Sequence, residues 1–462
     1  MNVIFLLVDD WGWTDAGCFG SDLYETPNID RLAASGVHFT NAYAACTVCS
    51  PTRASVMTGM SPARTRVTDW IAGHSYRYVN KPVNIPNWVQ RLVHSHVTIA
   101  EALRGNGYRT AHVGKWHLTP VDNEIEQRLY WPEHHGFELN VAGNRWGLPG
   151  SYFWPYQRKS RWATEMWNMP PGKEGDYLTD ELTDEALKIV DYFSAEPFFL
   201  YLPYYAVHMP IEGKPSLTEE FAGKVEAESR HQNAEYAAMV ASVDASVGQI
   251  LDKLDELGIS DRTAIFLTGD NGGLDNGRGQ PTENAPLRAG KGSAYEGGVR
   301  VPGVARVPGV TPSGVTCDEP IISYDFYPTI LELTGVAGNA DHNRNVDGVS
   351  LLPILQDPTV ALDRKSLVWH YPHYHPGGAV PYSAIRQDDY RLVEFHTDGH
   401  VELYDLADDV GETTDLSDIE SDRAERMRDE LHAYLSSVDA QMPTRNPKFD
   451  ANKPSGWPGK LK

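Results

Sequence analysis

Three near-continuous apolar runs constrain the fold of this 462-residue chain more than any other feature: Asn2–Val8 (NVIFLLV), residues 197–202 (PFFLYL) and residues 263–267 (TAIFL). A strand exposed on one face alternates apolar and polar residues, whereas a strand buried on both faces is apolar throughout. Helical periodicity fills the intervals. It runs over residues 26–36, opened by Thr26-Pro27-Asn28 and closed by Gly36; over 98–104, stopped by Gly105 or Gly107; and over 176–193 and 235–257. Val37–Tyr43 and residues 108–113 read as further strands. Buried strands alternating with helices predict an α/β fold, a large, mostly parallel mixed sheet sandwiched by helices on both faces.

Beyond about residue 360 the pattern changes. Residues 366–371, 382–386, 390–395 and 401–404 read as short strands, with the hairpin signal Asp398-Gly399 between the last two and a charged amphipathic helix over 418–435. This predicts a large α/β domain over 1–360 and a small C-terminal α+β domain over 361–462, the latter an antiparallel sheet with one covering helix. Residues 119–175 carry Trp131, Trp146, Trp154, Trp162 and Trp167 among prolines and glycines, with weak periodicity. Their aromatic content points to a functional segment rather than disorder. Residues 60–97 and 271–300 are similarly irregular.

Lys+Arg 40 against Asp+Glu 63 gives a formal charge of −23, which disfavours nucleic acid as the main partner. An anionic substrate is still compatible, because a basic pocket can sit inside an acidic surface. No apolar run approaches a membrane span. Four cysteines are too few for a disulfide framework in a chain of this length.

Two pairs, Asp9-Asp10 and Asp270-Asn271, stand directly after apolar strands. Ligands of an open parallel sheet collect outside the carboxyl ends of strands. Three carboxylates and an amide oxygen make a hard-oxygen site suited to Ca²⁺ or Mg²⁺. Either pair alone fits a turn or helix cap equally well. The run 46–59 (CTVCSPTRASVMTG) sets Cys49 and Arg53 four residues apart, on one face of a helix. Cys46 and Cys49 also form a C-x-x-C, compatible with a redox pair, half a zinc site or two buried cysteines. In residues 107–117 (GYRTAHVGKWH), Lys115 and His117 share one face of an extended segment. Lysine offers a point charge to an oxyanion, and histidine moves protons near neutral pH. His112 reads as structural. His208, in Ala206-Val207-His208-Met209-Pro210, taken alone fits a surface histidine better than a functional one, and the same holds for Lys291, although its glycine-dense loop lets backbone approach a site closely.

These motifs resemble, in order and across essentially the whole chain, those of the formylglycine-dependent (type I) sulfatases of the alkaline phosphatase superfamily, in particular bacterial polysaccharide and arylsulfatase-like enzymes. Cys49-Ser50-Pro51-Thr52-Arg53 is similar to the C-x-P-x-R signature, and residues 107–117 to G-Y-x-T-x-x-x-G-K-x-H. The resemblance implies that a maturation enzyme converts Cys49 to formylglycine, whose hydrate is the nucleophile. It implies a Ca²⁺ ion, with Mg²⁺ as the alternative, held by Asp9, Asp10, Asp270, Asn271 and the modified Cys49. It further implies that Arg53 holds the hydrated aldehyde, Lys115 and Lys291 bind sulfate oxygens, His117 serves the nucleophile's second hydroxyl and His208 lies near the leaving oxygen. Related enzymes are often exported, and the chain begins directly on a strand pattern with no leader signal. A periplasmic or secreted enzyme with a trimmed leader is therefore expected, or a cytoplasmic one if Met1 is the native start.

The competing activity is hydrolysis of phosphomonoesters, phosphodiesters or phosphonate esters, within the same superfamily. A two-zinc phosphatase wants histidine where Asn271 follows Asp270, which favours one hard metal. A silent carbohydrate-binding relative would not need Cys49, Lys115 and His117 together. Aromatic segments around Trp146 (GNRWG) and His373 (WHYPHYH) read either as a sugar subsite between the two domains or, equally plainly, as hydrophobic cover for a lid. The resemblance of these segments to those of bacterial polysaccharide sulfatases implies a sulfated galactose or hexosamine unit of a polysaccharide as substrate, in preference to a steroid or lipid sulfate.

Overall fold

A computed structural model of the chain describes residues 1–73, 75–121, 124–157, 166, 168–275 and 280–457; Trp162 and Trp167 lie outside them. Among the described residues the main sheet has nine strands. Its order runs Ile321–Ile322, Val37–Tyr43, Arg300–Arg306, Thr263–Gly269, Asn2–Val8, Phe198–Pro203, Arg109–Val113 and Leu139–Val141, with Val315–Cys317 also pairing with Val37–Tyr43. Arg300–Arg306 is antiparallel to both its neighbours, and the other pairings in the sheet are parallel.

The three apolar runs form the sheet centre, with Leu7 in register with both Pro203 and Thr268. Every residue of Asn2–Val8 is buried. Ile4, Leu6 and Val8 pack with Leu182, Ala186, Val243 and Val247 of the helices Leu178–Phe193 and Ala234–Glu256. Val3, Phe5 and Leu7 face the other way, toward Met57, Ile99, Leu103 and Ile330 of the helices Cys49–Thr58, Ile99–Arg104 and Phe326–Thr334. Two covered faces explain a run with no polar alternation, each large side chain contributing about 1.5–3 kcal/mol of burial. No helix among the described residues is long and apolar enough to cross a membrane.

The topology brings the candidate residues to one edge. Asn2–Val8, Phe198–Pro203, Thr263–Gly269 and Arg109–Val113 are mutually parallel, so Asp9-Asp10, His208, Asp270-Asn271 and Lys115 all follow strand ends on the same side. Val37–Tyr43 is antiparallel to Arg300–Arg306, which is itself antiparallel to Thr263–Gly269. Val37–Tyr43 therefore points with the central strands and delivers residues 44–53, while Arg300–Arg306 begins at that edge and is preceded by the Lys291 loop.

Within the irregular residues 119–175, the strand Leu139–Val141 extends the sheet. At three residues it is too short to show periodicity. The strand Arg300–Arg306 (RVPGVAR) was equally hidden, because its proline and glycine read as loop.

At the C-terminal end, Leu367–Tyr371, Tyr382–Gln387, Tyr390–Phe395 and Val401–Asp405 form an antiparallel sheet. Ala424, Met427, Leu431 and Leu435 of the helix Ser421–Ser437 cover one face through Val368, Ile385, Leu392 and Leu403. The other face, with Trp369, Tyr371, Tyr382 and Val393, packs on Cys46, Val48, Ala294 and Val299. It therefore backs the loops that carry Cys49 and Lys291. A buried network joins the same elements. Arg391 pairs with Glu412 at 2.6 Å and donates to the Ala294 carbonyl at 2.7 Å; Glu412 accepts the Glu296 N–H at 2.7 Å. Burial raises the Glu412 carboxyl despite Arg391 beside it.

Arg391→Met would leave Glu412 buried without its cation, while Glu296 keeps Arg300 at 3.5 Å. A loss of about 3–5 kcal/mol is expected, the usual cost of breaking a buried pair, read as a lowered urea midpoint. A loss below about 1 kcal/mol, the range of exposed pairs, would mean that the network does not hold the C-terminal sheet in place.

Candidate active site

Cys49 is the first residue of the helix Cys49–Thr58, and Arg53 lies one turn on. Arg53 Nε donates to Asp270 Oδ2 at 2.8 Å, Nη2 lies 2.7 Å from the same oxygen, and Nη1 donates to the Lys115 carbonyl at 2.7 Å. Lys115 Nζ lies 2.5 Å from Asp9 Oδ2. Lys291 pairs with Asp10 Oδ1, which also accepts from Asn271 Nδ2 at 2.8 Å. His208 Nε2 is 3.6 Å from Asp10 Oδ2, and its Nδ1 donates to the Met209 carbonyl. Three buried carboxylates thus face three cations.

His117 sits against Cys49, Nδ1 to Sγ 3.3 Å. Its Nε2 is bonded to the Ile71 carbonyl. A carbonyl only accepts, so Nε2 carries the hydrogen and the Nδ1 lone pair faces residue 49. Two glycines permit this approach. A Cβ on Gly147 would lie 2.4 Å from His117 Cε1, and one on Gly114 would lie 2.0 Å from the Pro203 carbonyl. Asp10 and His117 both adopt φ 56°, a conformation that non-glycine residues rarely take outside over-determined sites.

Burial dominates the titration behaviour. It raises the Cys49 thiol and, with the nearby Asp270 charge, the Asp9 carboxyl. Burial pushes Asp10 the same way, but His208, Lys291 and Lys115 outweigh it and hold its carboxyl low. Burial, then Lys115, holds the His117 imidazole well below its usual range, and burial pulls His208 down to about 3. For Lys291 burial opposes the charge, yet Asp10 prevails and raises its pKa.

Two oxygens test whether the acidic pairs suit a cation. Asp9 Oδ1 and Asn271 Oδ1 are buried and have no hydrogen-bond partner. Unsatisfied buried acceptors are costly, and a hard cation is the ligand class that such oxygens take. Donor atoms of Asp9, Asp10 and His208 all lie within 4.8 Å of one another. Asp270 is turned toward Arg53 and the Asp10 N–H. The donor set therefore fits a cation at the Asp9, Asp10 and Asn271 end, with His208 at its border.

The structure brings together Asp9, Asp10, Cys49, Arg53, Lys115, His117, His208, Asp270, Asn271 and Lys291. Trp146 is partly exposed beside Gly147, with Arg145 4.1 Å above its ring. His373 is a correction. It is fully buried, with Nε2 2.8 Å from Thr68 Oγ1 and its ring against Trp88 and Tyr371, so it supports the site wall rather than meeting a sugar. His112 is buried among Trp116, Phe137 and Tyr201, a core histidine as expected.

Three contributors escaped sequence reasoning. Ile71 acts through its carbonyl, which any residue could supply. Ser50 Oγ donates to the His117 carbonyl at 2.9 Å and accepts the Ile71 N–H at 3.1 Å. Thr47 Oγ1 accepts the N–H groups of Gly292 and Ser293, anchoring the Lys291 loop. Their one sequence signal is that Thr47 and Ser50 flank Cys49.

A family model described as Sulfatase matches residues 1–336, and one described as N-sulphoglucosamine sulphohydrolase, C-terminal, matches residues 290–441. The chain is 32% identical to a sulfatase of Formosa agariphila, over 94% of this chain and 88% of that protein. It is 29% identical to human steryl-sulfatase (80% and 72% covered) and 33% identical to human N-acetylgalactosamine-6-sulfatase (77% and 65% covered). The solved structure of Ps i-CgsB in complex with k-i-k-neocarrahexaose superposes with a TM-score of 0.76 at 27% identity, covering 98% of this chain and 95% of that one. With more than half the chain matched by the family model, and near-complete coverage of a relative above 30% identity, this protein belongs to the sulfatase family.

Proposed function

We propose that the protein hydrolyses sulfate monoesters on a saccharide, a galactose or hexosamine unit, using a formylglycine made from Cys49. The observation that carries this reading is the meeting of Cys49, Arg53, Lys115, His117, His208 and Lys291 with both acidic pairs at one sheet edge. Asp9, Asp10, Asp270 and Asn271 would hold the cation, Ca²⁺ by the hardness of the donors. A cation bound there would supply positive charge against the sulfate oxygens, and the hydrate formed by addition of water to a formylglycine at position 49 would supply the oxygen nucleophile and the second hydroxyl.

The chain's own residues do the rest. Arg53, fixed by Asp270 and the Lys115 carbonyl, presents an oriented charge beside residue 49. Lys115 and Lys291 reach sulfate oxygens from two sides and stabilise the charge that develops in the transition state. The N-terminus of the helix Cys49–Thr58 adds a favourable dipole for an anion. His117 Nδ1 takes the proton from the hydroxyl at position 49, its tautomer set by the Ile71 carbonyl. His208 and Lys291 face the leaving oxygen and supply its hydrogen bond. The sugar rests on two supports. Human N-acetylgalactosamine-6-sulfatase and the neocarrahexaose complex of Ps i-CgsB are relatives with saccharide ligands by name, and the partly exposed Trp146 adjoins Gly147, which packs against His117. Turnover of defined sulfated sugars by converted protein tests the reading; selective turnover of a steroid sulfate would move the substrate to the class named for human steryl-sulfatase.

Peptide mass spectrometry of active protein is expected to find an aldehyde at position 49, with activity proportional to the converted fraction. Fully active protein carrying only the unmodified thiol would contradict the mechanism.

His208→Ala and Lys291→Ala should each lower kcat/KM for alkyl sulfates more than for aryl sulfates. A poor leaving group needs its proton in the transition state, a contribution of roughly 10²–10⁴-fold, whereas a phenolate leaves without it. Equal losses on the two substrate types would mean that both residues only position sulfate.

A further inference from the structure

The segment Thr68-Asp69-Trp70-Ile71, from a loop whose sequence gives no motif, runs along the Nε2 edge of the His117 ring. Ile71 is fixed through both of its backbone polar groups, its carbonyl on His117 Nε2 and its N–H on Ser50 Oγ. Asp69 Oδ1 accepts the Trp70 N–H at 2.9 Å and the Tyr371 hydroxyl at 2.8 Å. Thr68 is hydrogen-bonded to His373, whose Nδ1 lies 3.9 Å from Asp69 Oδ2. Thr68, Asp69 and Ile71 are buried, while Trp70 is partly exposed, its ring centroid 6.3 Å from that of His117. The C-terminal sheet thus spends a tyrosine and a fully buried histidine on holding one loop whose outward product is an indole beside the reacting residues.

We propose that Trp70 is a specificity-determining residue, an apolar wall for the sugar ring that carries the sulfate, and that Asp69, Tyr371 and His373 are positioning residues that hold it there. The inference deepens the saccharide reading above and rests on it. Small-molecule pockets are lined by aromatic side chains with a few fixed polar groups, and preferentially lie where domains meet. Trp70 satisfies both conditions, since the groups that fix it come from the strand Leu367–Tyr371 and the residues just after it. Rigid indoles also give large contact area at little entropic cost on binding.

The test compares a sulfated monosaccharide with a short alkyl sulfate on converted protein. Both lose an alkoxide, but only the first has a ring to stack. Trp70→Ala is expected to lower kcat/KM for the sugar about tenfold or more beyond any loss on the alkyl sulfate, the scale of one lost apolar contact, with Trp70→Phe intermediate. Tyr371→Phe should raise KM for the sugar with little change in kcat. If it acts through Trp70, the Trp70→Ala/Tyr371→Phe double variant should lose no more than Trp70→Ala alone. Equal losses on the two substrates, or additive losses in the double variant, would overturn the proposal and leave the saccharide reading intact. Wild-type turnover of the alkyl sulfate with none of any sulfated sugar would overturn both. If Trp70→Ala fails to fold, Trp70→Phe together with Tyr371→Phe carries the same comparison.

Discussion

Asp9, Asp10 and Asp270 are removed from water at a single sheet edge, and their neutralisation is the constraint on which the rest of the structure depends. An uncompensated buried carboxylate costs several kcal/mol, so the three can persist together only with cations placed among them. Arg53, Lys115 and Lys291 do this, each arriving on a different segment of chain. The arrangement requires parallel strands in register, because a shift of one residue would turn each strand-end pair to the opposite face. Fold and charge balance are therefore one requirement. The apolar centre of the sheet brings the acidic pairs together, and the cations make that meeting tolerable.

The same constraint explains how the C-terminal sheet is used. Its apolar face packs behind Cys46, Val48 and Ala294, and its polar contacts secure the loops rather than enter the reaction. Arg391 bonds the Ala294 carbonyl, and Tyr371 bonds Asp69. Loops around a catalytic centre are commonly the least stable parts of a fold. Here the second sheet supplies the rigidity that the loops cannot generate themselves, so residues far from residue 49 in sequence govern the shape of its surroundings.

Much of this was legible in the sequence, for identifiable reasons. Fully buried strands announce themselves as unbroken apolar runs, and the residues directly after them are the ones a parallel sheet presents to a ligand. Cys49, Arg53, Lys115 and His117 were legible because their short spacings fix a shared face on a helix or an extended segment. What escaped acts through backbone or through distant pairing. The Ile71 carbonyl could belong to any residue type. Arg300–Arg306 hides behind a proline and a glycine, and its antiparallel direction, which brings Lys291 to the site, is a property of the whole sheet. His373 misled because an aromatic, histidine-rich run reads alike as a sugar platform and as a packed support. The hydroxyl of Thr68, some three hundred positions away in the chain, decides between them.

The proposed function rests on the two acidic pairs forming one hard-cation site whose charge complements the surrounding lysines. Elemental analysis with calorimetric titration on purified protein addresses it most directly. One Ca²⁺ or Mg²⁺ per chain is expected, its binding abolished or strongly weakened by Asp9→Ala and by Asn271→Ala, which remove the two unpartnered oxygens offered to it. Two zinc ions per chain, both required for turnover and both indifferent to Asn271→Ala, would contradict the claim and move the protein to phosphatase-like chemistry.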